Sequence, residues 1–163
     1  MKNRGLLILV AVLALAGTMA FAATDTKIVT VNATVSATAK LSLSSLTVSF
    51  PDADPDTTPT ITATAIDVTA KGKTSAAGNI TLTVIASDDL KSGTDTIGIA
   101  NVTWTATGAG FAAGTMTKGP AQSLGSWTGS GNRTGTQTYK LANSWSYATG
   151  AYSTSVTYTL TAP

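Results

Sequence analysis

From Val29 to Leu43 the chain alternates apolar and small polar residues for fifteen positions. Val29, Val31, Ala33, Val35, Ala37, Ala39, Leu41 and Leu43 fall on one side, and Thr30, Asn32, Thr34, Ser36, Thr38, Lys40 and Ser42 on the other. Period two is the pattern of a strand with one buried face. Ordinary strands run to about five or six residues. A strand this long either crosses from one sheet to another or pairs its first half outside its own domain. Further strands are predicted at Leu46–Phe50, Thr60–Ala70, Asn79–Ala86, Ile99–Thr107, Gly135–Leu141 and Tyr152–Thr161. Turn-forming clusters separate them, at 51–59, 71–78, 87–96 and in the Gly-rich stretch 108–135.

Two phases carry detail. In Thr60–Ala70 the apolar series Ile61, Ala63, Ala65 gives way to Ile66, Val68, Ala70. A slip of one residue turns every later side chain to the other face, so a bulge is predicted at Ala65-Ile66. The closing strand places Tyr152, Val156, Tyr158 and Leu160 on its buried face and Ser153, Ser155, Thr157, Thr159 and Thr161 outside. β-branched residues abound, and no stretch of ten residues has helical periodicity. The predicted fold class is all-β, an Ig-like antiparallel β-sandwich over residues 23–163.

Residues 1–22 read as a signal peptide outside that fold. Lys2 and Arg4 precede the apolar stretch Leu6–Ala16, and Ala20-Phe21-Ala22 supplies a small-x-small cleavage site. A retained anchor helix is the rival reading, but the apolar stretch is short for a span. Export to the cell surface or medium follows, with mature protein beginning at Ala23 and no membrane span after cleavage. Loss of Lys2 and Arg4 reduces ten cations to eight, which balance the eight Asp residues. A neutral mature chain offers no basic footprint for nucleic acid and little self-repulsion against association. With no cysteine, stability must come from sheet hydrogen bonds and packing.

The absence of His and Cys removes Ser–His–Asp and Cys–His nucleophilic sites and thiolate or imidazole zinc sites. The carboxylates are all Asp, mostly in polar turns, so neither an enzyme nor a cofactor is expected. Asp52, Asp54 and Asp56 are spaced like the first half of a calcium loop. Thr57 then stands where Gly is needed and Ala63 where the bidentate Glu belongs. They are weak calcium candidates, and an exposed Asp/Pro turn is the favoured reading. Four Asn-x-Thr triplets, at Asn32, Asn79, Asn101 and Asn132, are what a Thr-rich chain produces by chance. Trp104 sits in an apolar strand and is assigned to the core. Trp127 and Trp145 lie among Gly and Ser, where they are candidate glycan contacts, although a place in the core or as caps on the sandwich is the favoured reading.

The stretch Gly150-Ala151-Tyr152-Ser153-Thr154-Ser155-Val156-Thr157-Tyr158-Thr159-Leu160 resembles the closing strand of exported bacterial β-sandwich families. These include spore coat protein U-like fimbrial subunits and, with Tyr158 where Trp is usual, WxL-type surface domains. The N-terminal alternating segment is similar in kind to the donor strands of chaperone–usher pilins. The cysteine pair common in spore coat U-like subunits and the Trp-x-Leu signature are both missing. The resemblance implies a structural subunit of an extracellular filament or surface assembly. Such a subunit would polymerise with itself by donor-strand addition, with an assembly chaperone as a further candidate partner. Val29, Val31, Ala33 and Val35 would then be the subunit interface, and Ala37 to Leu43 would belong to the subunit's own sheet. The alternative is a monomeric cell-wall or glycan-binding module using Trp127 and Trp145.

Overall fold

The computed structural model describes residues 23–163, and the expected signal segment 1–22 lies outside them. Residues up to Ala33 form one unit and those from Thr34 another. From residue 23 to 37 the chain forms no strand. The predicted strand Val29–Leu43 is therefore corrected to its last six residues, β1 (Thr38–Leu43). Next come β2 (Thr60–Thr62), β3 (Ile66–Lys73), β4 (Asn79–Ala86), β5 (Leu90–Ser92) and β6 (Asp95–Ile97). A 3-10 turn at Ile99–Asn101 leads into β7 (Val102–Ala106) and β8 (Gly114–Thr115). The chain closes with β9 (Gln122–Thr128), β10 (Gly131–Ala142) and β11 (Val156–Thr161). No helix among the described residues is long and apolar enough to cross a membrane.

All pairings are antiparallel. One sheet has the order β1-β3-β10-β7-β8, with β2 also on β10; the second has β11-β4-β9; β5 and β6 form a separate hairpin. This is the expected antiparallel β-sandwich. Asn79–Ala86 shows why it forms. Its even positions Ile80, Leu82, Val84 and Ala86 are all buried, while the odd positions are not. They face Val68 and Ala70 of β3, Val102 and Trp104 of β7, and Tyr139 and Leu141 of β10 within one core. Each fully buried Val, Leu or Ile is worth about 1.5–3 kcal/mol, which lets sheets without disulfides hold together. Trp104 is core as expected, its Nε1–H donating to the Ala112 carbonyl at 2.8 Å.

The predicted bulge is present. Four steps along the chain from Thr62 to Ile66 match three on β10 from Lys140 to Gln137, so one extra residue sits between β2 and β3. Ile61 and Ala63 before it and Ile66, Val68 and Ala70 after it are all buried. The predicted strand Leu46–Phe50 does not form. Val48 and Phe50 pack against the core, but the segment has no ladder partner. Conversely, the Gly-rich stretch hides β9, which pairs with β4 and buries Leu124 and Trp127.

Candidate functional site

The notable feature of the sandwich is a pair of open sheet edges on one side. Among the described residues, β1 pairs only with β3 and β11 only with β4. In an antiparallel ladder alternate residues bond the partner, and those between them aim N–H and C=O the other way. Ser87 N–H donates to the Ser155 carbonyl at 2.9 Å, in register with β11 on β4. Thr157, Thr159 and Thr161 therefore bond β4, and Val156, Tyr158 and Leu160 turn their backbone groups outward. The bond from Ser44 N–H to the Asp67 carbonyl, also 2.9 Å, sets the same parity for β1. There Ala39, Leu41 and Leu43 face outward.

These two edges neighbour each other. Thr38 pairs with Lys73, and the adjoining Thr74 hydroxyl donates to the Pro163 carbonyl at 2.5 Å, so the start of β1 lies by the end of β11. At the opposite end Leu43 and Val156 line one cavity of about 340 Å³. The two strands thus run antiparallel to each other, with the cavity at that end. Val48, Phe50 and Tyr158 line the cavity together with the buried Met116 and Tyr139. Leu41, Leu43, Val156, Tyr158 and Leu160 are only half-buried, although all pack against the core. Apolar side chains and unpaired backbone groups therefore occur along the same seam.

A polar relay underlies it. The Tyr158 hydroxyl donates to Gln137 Oε1 at 2.5 Å, which leaves the Tyr139 hydroxyl to donate to Tyr158 at 2.7 Å. Burial pushes both phenols above their ordinary pKa, so both remain protonated donors. Gln137 is 1% exposed, and its Nε2 has no partner among the described residues.

The residues singled out in the sequence are placed as follows. Val29, Val31 and Val35 are exposed, at 81%, 87% and 76%, and Ala33 is exposed as well. Asp52, Asp54 and Asp56 lie on an exposed turn. Asp54 Oδ1 accepts from the Asp56 N–H at 2.9 Å, and Asp56 Oδ1 accepts from Trp145 Nε1 at 3.0 Å. Among the described residues no three acidic groups converge as a metal site would require. Trp127 takes the favoured core place, and its glycan candidacy is set aside. It is 7% exposed in β9, opposite Ile80 and tilted against Phe111, so no ring face is open to a sugar. Trp145 is 70% exposed. The seam itself went unnoticed in the sequence. The inward phase of the Val156, Tyr158 and Leu160 side chains was legible, but that no strand covers their backbone edge was not.

No protein-family model matches the chain. Comparison with curated proteins likewise finds no relative.

Among the described residues, a charge cluster lies near the start of β11. Lys91 pairs with Asp88 and Lys118 with Asp89, with Lys118 also 3.5 Å from Asp88. The Lys91 ammonium, with the Asp89 N–H, holds the Asp88 carboxyl down at about 2. These pairs are exposed and tie the β5–β6 hairpin to the segment before β9.

Proposed function

We propose that the protein is a structural subunit of an extracellular filament or surface assembly, joined to the next subunit by strand addition. The supporting observation is the seam, where β1 and β11 each turn a free backbone edge outward beside half-buried apolar side chains. An edge of this kind is a template for another chain, and natural proteins usually cover or charge it. A strand entering between β1 and β11 would bond the outward groups of Val156, Tyr158 and Leu160. Each such hydrogen bond contributes about 0.5–1.5 kcal/mol net. Its alternate side chains would fill the cavity between Leu43 and Val156.

The occupant proposed is the N-terminal segment of a second copy. Its residues Val29, Val31, Ala33 and Val35 carry the period-two apolar face of a strand, yet residues 23–37 form none in their own chain. A neutral mature chain does not oppose the close stacking of copies.

Truncation to begin at Ser36 tests this. The shortened protein should fail to elongate and should aggregate through its open edges, and a peptide spanning Ala23 to Val35 should recover it as a soluble capped monomer. Val31→Asp should block elongation in the full chain by carrying a carboxylate into an apolar socket. A truncated protein that is a stable monomer without peptide, alongside a full chain monomeric at high concentration, would refute the proposal.

A further inference from the structure

A second, larger groove lies beyond the Leu46–Phe50 segment, between the Asp52–Asp56 turn and residues 143–154. Its volume of about 1120 Å³ slightly exceeds the roughly 300–1,000 Å³ of ordinary ligand clefts. Trp145, Tyr147 and Tyr152 line it beside Phe50, together with Asp52 and Asp54. No Lys or Arg does so among the described residues.

The rings are held in place. Trp145 Nε1–H donates to Asp56 Oδ1 at 3.0 Å, which occupies the polar edge of the indole and leaves its faces open. The turn supplying that carboxylate is itself fixed, since the Thr58 N–H donates to the Asp54 carbonyl at 2.8 Å. The Tyr147 and Tyr152 hydroxyls donate to the Ala142 and Ala148 carbonyls at 3.0 and 2.9 Å. A large exposed ring held this way loses little freedom on binding, which is the condition for useful affinity from a shallow contact.

We infer that this groove binds a neutral carbohydrate chain, with Trp145 as the stacking platform and the Asp52 and Asp54 carboxylates accepting hydrogen bonds from sugar hydroxyls. The lining selects this class. Carboxylates without a cation repel phosphates, sulfated glycans and nucleic acid. A purely apolar ligand would strand them without partners. A sugar ring presents both an apolar C–H face for the indole and hydroxyl donors for the carboxylates. Trp145 does not line the cavity at the seam, so sugar binding and strand addition are separable.

The full-length exported protein is titrated with neutral hexasaccharides of β-1,4-glucose, β-1,4-N-acetylglucosamine and α-1,4-glucose, and with heparin as an anionic control. Tryptophan fluorescence reads Trp145 because Trp104 and Trp127 are buried. At least one neutral saccharide should give a saturable change, weakened about tenfold or more in Trp145→Ala, while filaments by negative stain are unchanged. Trp145→Phe should bind with intermediate affinity. The inference is overturned if no neutral saccharide saturates, if only heparin binds, or if Trp145→Ala binds as the parent does. It is equally overturned if Trp145→Ala stops filament growth in a protein that binds no sugar, since the groove is then a contact between copies. Sugar binding in a protein that never assembles would sustain the groove and refute strand addition.

Discussion

Removing a single oxygen at Tyr158 should cost more than removing the whole amide it touches. In Tyr158→Phe the ring keeps its shape, but Gln137 loses the donor to its Oε1 while its Nε2 is already unpartnered. The Tyr139 hydroxyl loses its acceptor at the same time. An orphaned buried polar group costs about 1–3 kcal/mol. Two are created here, and the half-buried position of Tyr158 lets water relieve part of the penalty. The net is about 2–3 kcal/mol, or roughly 5–15 °C in Tm for a domain of this size. Gln137→Leu behaves differently. It deletes the unpartnered amide, fills a similar volume, keeps the Tyr139 donation to Tyr158, and leaves the proton of the half-buried Tyr158 hydroxyl free to turn toward water. Its change should stay within about 1 kcal/mol of zero. The double variant should be less destabilised than the sum of the singles by about 1–2 kcal/mol, because the two groups form one relay.

Urea and thermal unfolding at a single protein concentration, which holds self-association fixed, read these differences. The relay also predicts an alkaline limb. Burial raises the folded pKa of Tyr139 and Tyr158 above the unfolded value of 10.0, so their contribution is complete below that pH. It is lost as pH climbs from there toward the folded value, because the unfolded phenols ionise first. Tyr158→Phe should flatten that limb. Gln137→Leu proving as damaging as Tyr158→Phe, or a double variant equal to the sum, would refute the relay.

Two further outcomes are expected. Leu160→Asp should cost about 2–4 kcal/mol and deplete soluble folded protein, because Leu160 packs against the core; exposed Thr159→Asp should stay within about 0.5 kcal/mol. Equal tolerance of both would place the β11 phase wrongly. The Asp88 carboxyl, held down chiefly by its hydrogen bond from Lys91, should titrate near 2 by carboxyl-carbon NMR. Its contribution to stability is present above the unfolded value of 3.8 and fades as pH falls through about 2. Lys91→Ala should raise that midpoint, and a parent midpoint near 4 would count against the pairing.

What the sequence disclosed was the orientation of side chains, and it did so wherever alternation ran uninterrupted. β4 has the bounds its alternation predicts, and β11 keeps the predicted phase even though it begins four residues later than Tyr152. The bulge between β2 and β3 was legible because apolar residues stood on both sides of the slip. The bulge in β9 was not. Leu82 faces Gly125 and Thr83 faces Ser123, which leaves Leu124 as the extra residue and sets Leu124 and Trp127 three apart. With Gly125 between them no period-two signal survives, and the stretch reads as a turn. The glycan possibility for Trp127 arose the same way, since small neighbours suggest exposure whereas Gly125 is itself buried beneath the Gly110 carbonyl. β10 likewise begins at Gly131, inside turn-like composition, because its ladder with β3 overrides local preference.

Periodicity marks a face that is to be buried but does not name the partner that buries it. Two segments show the difference, since Val29–Val35 and Leu46–Phe50 both alternate like strands and neither has a ladder. In Leu46–Phe50 the apolar positions Val48 and Phe50 pack on the core and border the seam cavity, leaving the backbone without strand neighbours. In Val29–Val35 the apolar face is exposed. A chain that keeps about half-buried apolar groups along two open edges, and carries a matching apolar face elsewhere, has an unmet hydrogen-bond demand on one side and an unmet burial demand on the other. Joining two copies satisfies both demands together, which is why the proposed assembly requires the very residues whose pattern outran their own sheet.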